Sequence, residues 1–409
     1  MDHPYTGTIG EAARARPPAG VAELIAPIAV DTFMDHYWEK QPLVVQRDER
    51  DFYAGLLTLA DIDLILATSS LHDGDLRVVA DGAETSVTQL IQDDLESKTN
   101  GLEAVYREYR AGATINLTFL HERWAPLAGL CRSLSTQLSA AIHGNVYLTP
   151  PGTRGLTPHH DNHDVFVLQL HGSKHWTIYP TQTPLPLKDQ HFSMPAEGAG
   201  EPVQEFTVTP GDLVYLPRGT VHAATADDAT SLHLTIGVSP MVWAAVVRTA
   251  IDRVFHEDVR FRTALPAGFA DSDELRARAT ADLRGLLEVL TAEISPKDVI
   301  RESVGRVFQR RQPVLAGHLL DLEAAPSVDL HTPLRVRPDL EWLLSRDDEE
   351  VHLEFHGKRI DLPAYVGDEL SFMVKADRFA GTEIPGSLDD AGRLVLVRQL
   401  LQEGFLTLS

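Results

Sequence analysis

A single cysteine, Cys131, stands among the 409 residues. No intramolecular disulfide can form, and a cysteine-rich zinc site is excluded; a reducing cytoplasm fits this usage. Long apolar runs are also missing, and none approaches the length of a membrane span. The N-terminus, MDHPYTGTIGEAARARPPAG, lacks the apolar core of a secretory signal. Basic residues are scarce: 36 Lys and Arg stand against 59 Asp and Glu, for a net charge of -23. Such a surface repels nucleic-acid phosphates, disfavours broad DNA binding and favours basic partners. There is no Walker-type phosphate loop, no nucleophile elbow for serine hydrolysis and no internal repeat. The Gly-rich piece PPGTRG lacks the strand-loop-helix setting of a dinucleotide site.

What remains is ordinary globular material. The length predicts two or three domains with ample core, and the hydrophobic content of 43% is typical of soluble proteins. After a loose tail to about residue 22, VAELIAPIAV predicts an apolar helix. Asp31 is placed as the cap of a second helix, TFMDHYWEK, stopped by Pro42, with Tyr37 and Trp38 as core anchors. LVVQ reads as a strand, LTLADIDLILATSS as a helix, LRVVA as a strand, TSVTQLIQ as a helix and INLTF as a strand. A helix from about Pro126 to Ile142 carries Leu127, Leu130, Leu134 and Leu138 on one face. Cys131 beside them reads as a buried small hydrophobe. From 145 to 240, NVYLT, DVFVLQL, HWTIY, QEFTVT, LVYLP, TVHAAT and SLHLTIGV are short strands between turn residues. That spacing predicts a sandwich or barrel, within which a double-stranded jelly roll is the natural assignment. Three helices follow to about Gln312, with Ser272 capping the second and Ser295 with Pro296 opening the third. Beyond them lie a VHLEF-HG-KRID hairpin, a helix near 363 to 376, a helix ending at Gly404 and a closing strand.

The chemistry concentrates between Asn145 and Tyr179. His159 and Asp161 are separated by one residue, and in a strand such residues share a face. A second imidazole from another strand, His222 in GDLVYLPRGTVHAAT, would complete a 2-His-1-carboxylate set that leaves open positions on an iron(II) ion. With 18 histidines in the chain, the pair alone reads first as ordinary core or surface histidines. His160 rivals His159 in register, and His163, His171 and His175 read as neighbouring, turn or surface groups.

The motifs FMDHYWEKQPLVV, NVYLTPPG, PHHDNHDVFVLQLHGSKHW and GDLVYLPRGTVHAA, in this order, resemble the JmjC-type cupin oxygenases, within them the ribosomal oxygenase branch. They cover scattered parts of the first 240 residues. The resemblance implies an α+β chain in three parts: a JmjC cupin catalytic domain with an N-terminal helical extension (1–240), a helical dimerisation region (241–313) and a winged-helix-like domain (314–409). It implies Fe(II) on His159, Asp161 and His222, with 2-oxoglutarate as cosubstrate. Lys174 matches the basic residue that meets the distal carboxylate, though a lysine after a hairpin turn can also be merely solvated. Asn145, Tyr147 and Thr235 match positions that help hold the cosubstrate; His233 shares the face of Thr235, and each can equally be core polar satisfaction. Asp164 matches an acidic position that can meet substrate or only hydrogen-bond the turn, with substrate proximity favoured. The implied reaction is hydroxylation of an arginyl or histidyl side chain of a basic, ribosomal protein by a cytoplasmic homodimer. A small peptide or amino-acid-derived metabolite as substrate, or a non-enzymatic cupin binding module, are the alternatives.

Overall fold

The computed structural model describes residues 16–69, 74–80, 82–93, 101–153, 155–195, 198–309, 313 and 315–409. The expected loose tail lies outside them up to residue 15, as does Arg154 of the PPGTRG turn. The chain divides into two compact units, Met1–Pro240 and Met241–Ser409.

In the first unit, helices α1 (Val21–Ile25), α2 (Val30–His36), α3 (Leu59–Thr68), α4 (Val87–Asp93), α5 (Gly101–Arg110) and α6 (Ala125–Leu138) are interleaved with strands. The strands are β1 (Leu43–Val45), β2 (Leu76–Ala80), β3 (Ala83–Ser86), β4 (Thr114–Leu117), β5 (Ala140–Thr149), β6 (Asp164–His171), β7 (Lys174–Ile178), β8 (Gln204–Val208), β9 (Leu213–Leu216), β10 (His222–Ala226) and β11 (Ser231–Pro240). Two antiparallel sheets result, with strand orders β1-β9-β6-β11-β5-β4-β2-β3 and β10-β7-β8. This is the cupin jelly roll.

The period-2 pattern of each strand decides which residues meet the space between the sheets. Along β6, Val165 and Val167 join Trp176, Ile178 and Val214 in the apolar lining between the sheets. Phe166 and Leu168 point the other way, into a core shared with Phe33, Leu127 and Tyr215. A strand buried on both faces explains the continuous apolar run DVFVLQL. β5 and β11 keep the outer side apolar with Val146, Leu148, Leu232, Leu234 and Ile236. Their inner positions are polar, and Asn145 pairs with Thr235 and Tyr147 with His233 in register. Each fully buried Phe or Leu of these clusters stabilises the fold by about 1.5–3 kcal/mol. The turn from β6 into β7 needs Gly172: its φ is +61°, and an added Cβ would lie 2.0 Å from the Thr230 carbonyl oxygen.

Several local expectations differ from the fold. The first apolar segment is helical only over Val21–Ile25, because Pro27 has no N–H to continue the ladder. Asp31 is not a cap: α2 starts at Val30 behind Ala29, and Asp31 lies inside the first turn. That helix ends at His36, and Glu39 adopts a left-handed φ of +57°. α6 stops at Leu138, because Ser139 turns left-handed and Ala140–Ile142 pair instead with β11. Thr85 and Ser86 belong to strand β3, not to the helix after it. As expected, Cys131 is buried in the core, where burial pushes its thiol up to about 12.

The second unit holds α7 (Trp243–Glu257), α8 (Asp273–Glu293) and α9 (Pro296–Gln309), then α10 (His318–Ala324), β12 (Leu334–Val336), β13 (Trp342–Arg346), β14 (Glu350–Phe355), β15 (Lys358–Pro363), α11 (Gly367–Met373), α12 (Asp390–Gln402) and β16 (Leu406–Leu408). Ser272 caps α8 by accepting from the Leu275 N–H. β13, β14 and β15 form one antiparallel sheet, and β12 pairs with β16. Leu353, Phe355, Leu370, Leu400 and Phe405 centre its core. Among the described residues, no helix is long and apolar enough to cross a membrane.

Candidate active site

His159 does not lie in a sheet strand. It sits in an extended segment before β6 and forms an isolated antiparallel bridge with His222, the first residue of β10. The two backbones exchange hydrogen bonds of 3.1 and 2.9 Å. Side chains of such a directly opposed pair project together, and the two imidazole centroids are 4.5 Å apart. Asp161 follows two residues on, with Oδ2 3.8 Å from His222 Nε2. The candidate ligand atoms of His159, Asp161 and His222 all lie within 4.8 Å of one another.

The same local device orients both rings. His159 Nδ1 lies 2.7 Å from the Thr157 carbonyl oxygen, and His222 Nδ1 lies 2.9 Å from that of Thr220. A carbonyl only accepts, so each Nδ1 carries the proton and each Nε2 keeps its lone pair. Burial, then the His159 ring beside it, holds His222 down to about 4, so it is neutral and able to ligate at neutral pH. For Asp161, burial works against ionisation, but the imidazoles of His163, His222, His159 and His143 outweigh it and hold the carboxyl below its usual range. A divalent cation fits a donor set of two neutral imidazoles and one carboxylate.

This group lines a cavity of about 350 Å³ bounded by both sheets. Lys174, at the start of β7, is 3% exposed. Its Nζ lies 3.2 Å from the Thr149 hydroxyl, its one hydrogen-bond partner among the described residues, and burial holds it down to about 7. Trp176 Nε1 and His233 Nδ1 are buried without a partner among the described residues. A buried lysine with the unpartnered Trp176 N–H in the same cavity fits an anionic ligand, and a carboxylate is the simplest. Asn145, Tyr147 and Thr235 line the same space. Asn145 Oδ1 already accepts from the Phe119 N–H at 3.0 Å, which leaves its amide N–H groups for a ligand. The Tyr147 ring stacks on His233 at 4.9 Å, and burial raises its hydroxyl, keeping it protonated.

Of the two readings of Asp164, the structure shows the hydrogen-bonded one and not the favoured substrate contact: it lies outside the cavity lining, is fully buried and accepts from the Arg218 backbone and guanidinium. His160 turns away against Phe192, at 5.2 Å, while His171 ends β6 exposed to solvent. His163 lines the cavity, its ring packed 4.7 Å from that of His143. Gly237 makes that packing possible, since a Cβ there would come within 2.2 Å of His143.

Other lining residues escaped the sequence reading. Asn116 of β4 stands opposite Tyr147 as its cross-strand neighbour and lines the same cavity. Arg77 and Glu84 form an ion pair of 2.5 Å across β2 and β3 at the cavity wall. One signal was available: Thr114, Asn116 and Thr118 alternate with apolar residues in TINLT. In the second unit, Glu350, His352 and Asp361 also lie together. There His352 is engaged by Asp361 at 2.8 Å and Asp347 at 3.0 Å, and Asp361 by Arg359 at 2.5 Å.

A jelly roll with this donor set inside it defines a JmjC-type cupin. The family described as "JmjC domain" matches residues 120–246, and the chain belongs to that family. Its relatives put it in the ribosomal oxygenase branch. It is 34% identical to Ribosomal oxygenase 1 of Gallus gallus over 273 residues, 63% of this chain and 45% of the relative. It is 31% identical to Ribosomal oxygenase 2 of Rattus norvegicus over 319 residues, 74% of this chain and 66% of the relative. The chain thus spans about half to two thirds of the length of these relatives. In fold it is similar to the Escherichia coli ribosomal oxygenase YcfD solved with cobalt and 2-oxoglutarate, with a TM-score of 0.52, 18% identity, and 93% of this chain and 98% of that one covered.

Proposed function

We propose that this chain is an iron(II)- and 2-oxoglutarate-dependent oxygenase that hydroxylates an arginyl or histidyl side chain of a ribosomal protein. The observation that carries this reading is the convergence of His159, Asp161 and His222 in one cavity with the buried Lys174, which has no carboxylate partner among the described residues. The two Nε2 atoms and the Asp161 carboxylate hold the metal. Lys174 holds the distal carboxylate of 2-oxoglutarate, with Thr149 steadying the ammonium. Asn145, Tyr147 and Thr235 flank the cosubstrate, and Val165, Val167 and Trp176 keep that part of the cavity dry. Iron and 2-oxoglutarate, when bound, supply the oxygen chemistry: one oxygen atom enters a substrate C–H bond, the other enters succinate, and carbon dioxide is released.

Branch membership supports a ribosomal protein as substrate, and the net charge of -23 suits a basic one. The same charge disfavours DNA as a partner of residues 314–409, whose hairpin and helices resemble a winged helix. Residues 241–313 form the dimerisation region. Their helices leave Trp243 and Val247, Leu283 and Leu287, and Ile300 and Val304 exposed at i, i+4 spacing. With residues 1–240 as the catalytic part, the chain has three domains. The single buried cysteine agrees with a cytoplasmic setting. The test is intact-mass analysis of ribosomal proteins incubated with the enzyme, iron(II), 2-oxoglutarate and oxygen. A gain of one oxygen atom on a basic protein, dependent on 2-oxoglutarate, is expected. No such gain, with succinate formed on a free amino acid instead, would replace the protein substrate by a metabolite.

A further inference from the structure

Asp164, Arg218 and Glu39 lie outside the cavity lining, yet they tie together the segments that carry the candidate metal ligands. Asp164 opens β6, three residues after Asp161, and is 0% exposed. Arg218 lies four residues before His222, in the turn between β9 and β10. The Arg218 backbone N–H donates to Asp164 Oδ1 at 2.8 Å, and its Nη1 donates to Oδ2 at 3.0 Å. The same Nη1 lies 2.5 Å from Glu39 Oε1. Glu39 is held in turn, because its N–H donates to the Tyr215 hydroxyl at 2.9 Å. Trp38 stacks on the Tyr215 ring at 5.9 Å. The N-terminal motif FMDHYWEKQP thus reaches the metal-bearing segments through one carboxylate.

Backbone bonds lace the same two segments: Gly219 N–H donates to the Asp161 carbonyl at 3.0 Å, and His159 and His222 bond each other. Stability alone does not account for the charged triad. Apolar residues of similar volume often serve a buried site as well or better, whereas ion pairs of this kind can fix register. Here the pair fixes where β6 begins relative to the turn into β10, which sets the spacing of Asp161 from His222. We propose that Asp164, Arg218 and Glu39 are positioning residues of the metal centre, a latch that holds the Asp161 and His222 segments at ligating distance. This rests on the reading of His159, Asp161 and His222 as metal ligands.

The test is titration of the metal-free full chain with cobalt(II), followed by the cobalt absorption spectrum, well below the thermal midpoint of each variant measured without metal. Wild type should take up one cobalt ion. Asp164→Asn should bind it about ten- to hundredfold more weakly, as when outer partners of metal ligands are removed, with a changed spectrum in a cooperatively folding protein. Arg218→Lys, which keeps the charge and loses the rigid planar guanidinium, should fall between them. Unchanged affinity and spectrum in folded Asp164→Asn would overturn the latch. If Asp164→Asn does not fold, Glu39→Gln decides: its side chain is 32% exposed, a several-fold loss is expected, and wild-type affinity would overturn the proposal. Failure of wild type to bind cobalt would instead remove the metal reading itself, and the latch with it.

Discussion

His159 and His222 face each other as a hydrogen-bonded antiparallel pair, each backbone N–H donating to the other's carbonyl, at 3.1 and 2.9 Å. Two residues far apart in sequence are thereby fixed at one register, and the Thr157 and Thr220 carbonyls turn both rings the same way. Replacing a ring leaves the bridge intact, because the bridge is made by backbone.

His159→Ala, Asp161→Ala and His222→Ala should therefore each abolish metal uptake and succinate formation while the protein remains folded. Circular dichroism with a cobalt titration checks both halves. Full succinate formation by any one folded variant would remove that residue from the ligand set.

Lys174 couples the cavity to pH. Its free-enzyme value of about 7 lies below the ~10.4 of an unfolded lysine. The folded state therefore favours the neutral amine, and the lysine costs stability increasingly as pH falls from about 10 to 7. Lys174→Met should raise the melting temperature of the ligand-free protein more at pH 7 than at pH 10. A dianionic ligand restores the charge, so 2-oxoglutarate binding at pH 8 should take up nearly one proton, and less below pH 6. Calorimetry in buffers of different ionisation enthalpy measures the uptake. None at pH 8 would mean that the ammonium does not meet the ligand.

The exposed i, i+4 apolar pairs on α7, α8 and α9 predict self-association. Light scattering at micromolar concentration should give the mass of a dimer. Leu283→Asp with Leu287→Asp should shift it toward monomer, since burying an unpaired charge costs several kcal/mol. A wild-type monomer would leave these helices to another role.

The strands were legible because burial leaves a short-range pattern, whereas the candidate donors stood out only through the family resemblance: the strand spacing of His159 and Asp161 does not hold, since His159 forms only an isolated bridge. DVFVLQL and SLHLTIGV declare buried strands, and the His159, Asp161 and Lys174 positions recur in one contiguous motif. Helix ends were less legible. Ser139 takes a left-handed turn that nothing in APLAGLCRSLSTQLSAAI announces, and Ala140–Ile142 are claimed by the β11 ladder instead. The role of Asp164 was illegible for a different reason. Its burial depends on Arg218 and Glu39, which only the folded chain brings to it. Asn116 was hidden because its partner, Tyr147, is set by strand register rather than by sequence distance.

In the proposed function, Lys174 and the metal site hold the two ends of one 2-oxoglutarate. Removing one member of a buried charge pair costs roughly 3–5 kcal/mol, or about two to four powers of ten in affinity. Anaerobic titration of 2-oxoglutarate into iron-loaded wild type and Lys174→Ala tests this directly. Wild type should bind tightly, Lys174→Ala should lose affinity by that factor with iron binding unchanged, and Lys174→Arg should recover part of it. Equal affinities in wild type and Lys174→Ala would contradict this placement and would require the cosubstrate to sit elsewhere.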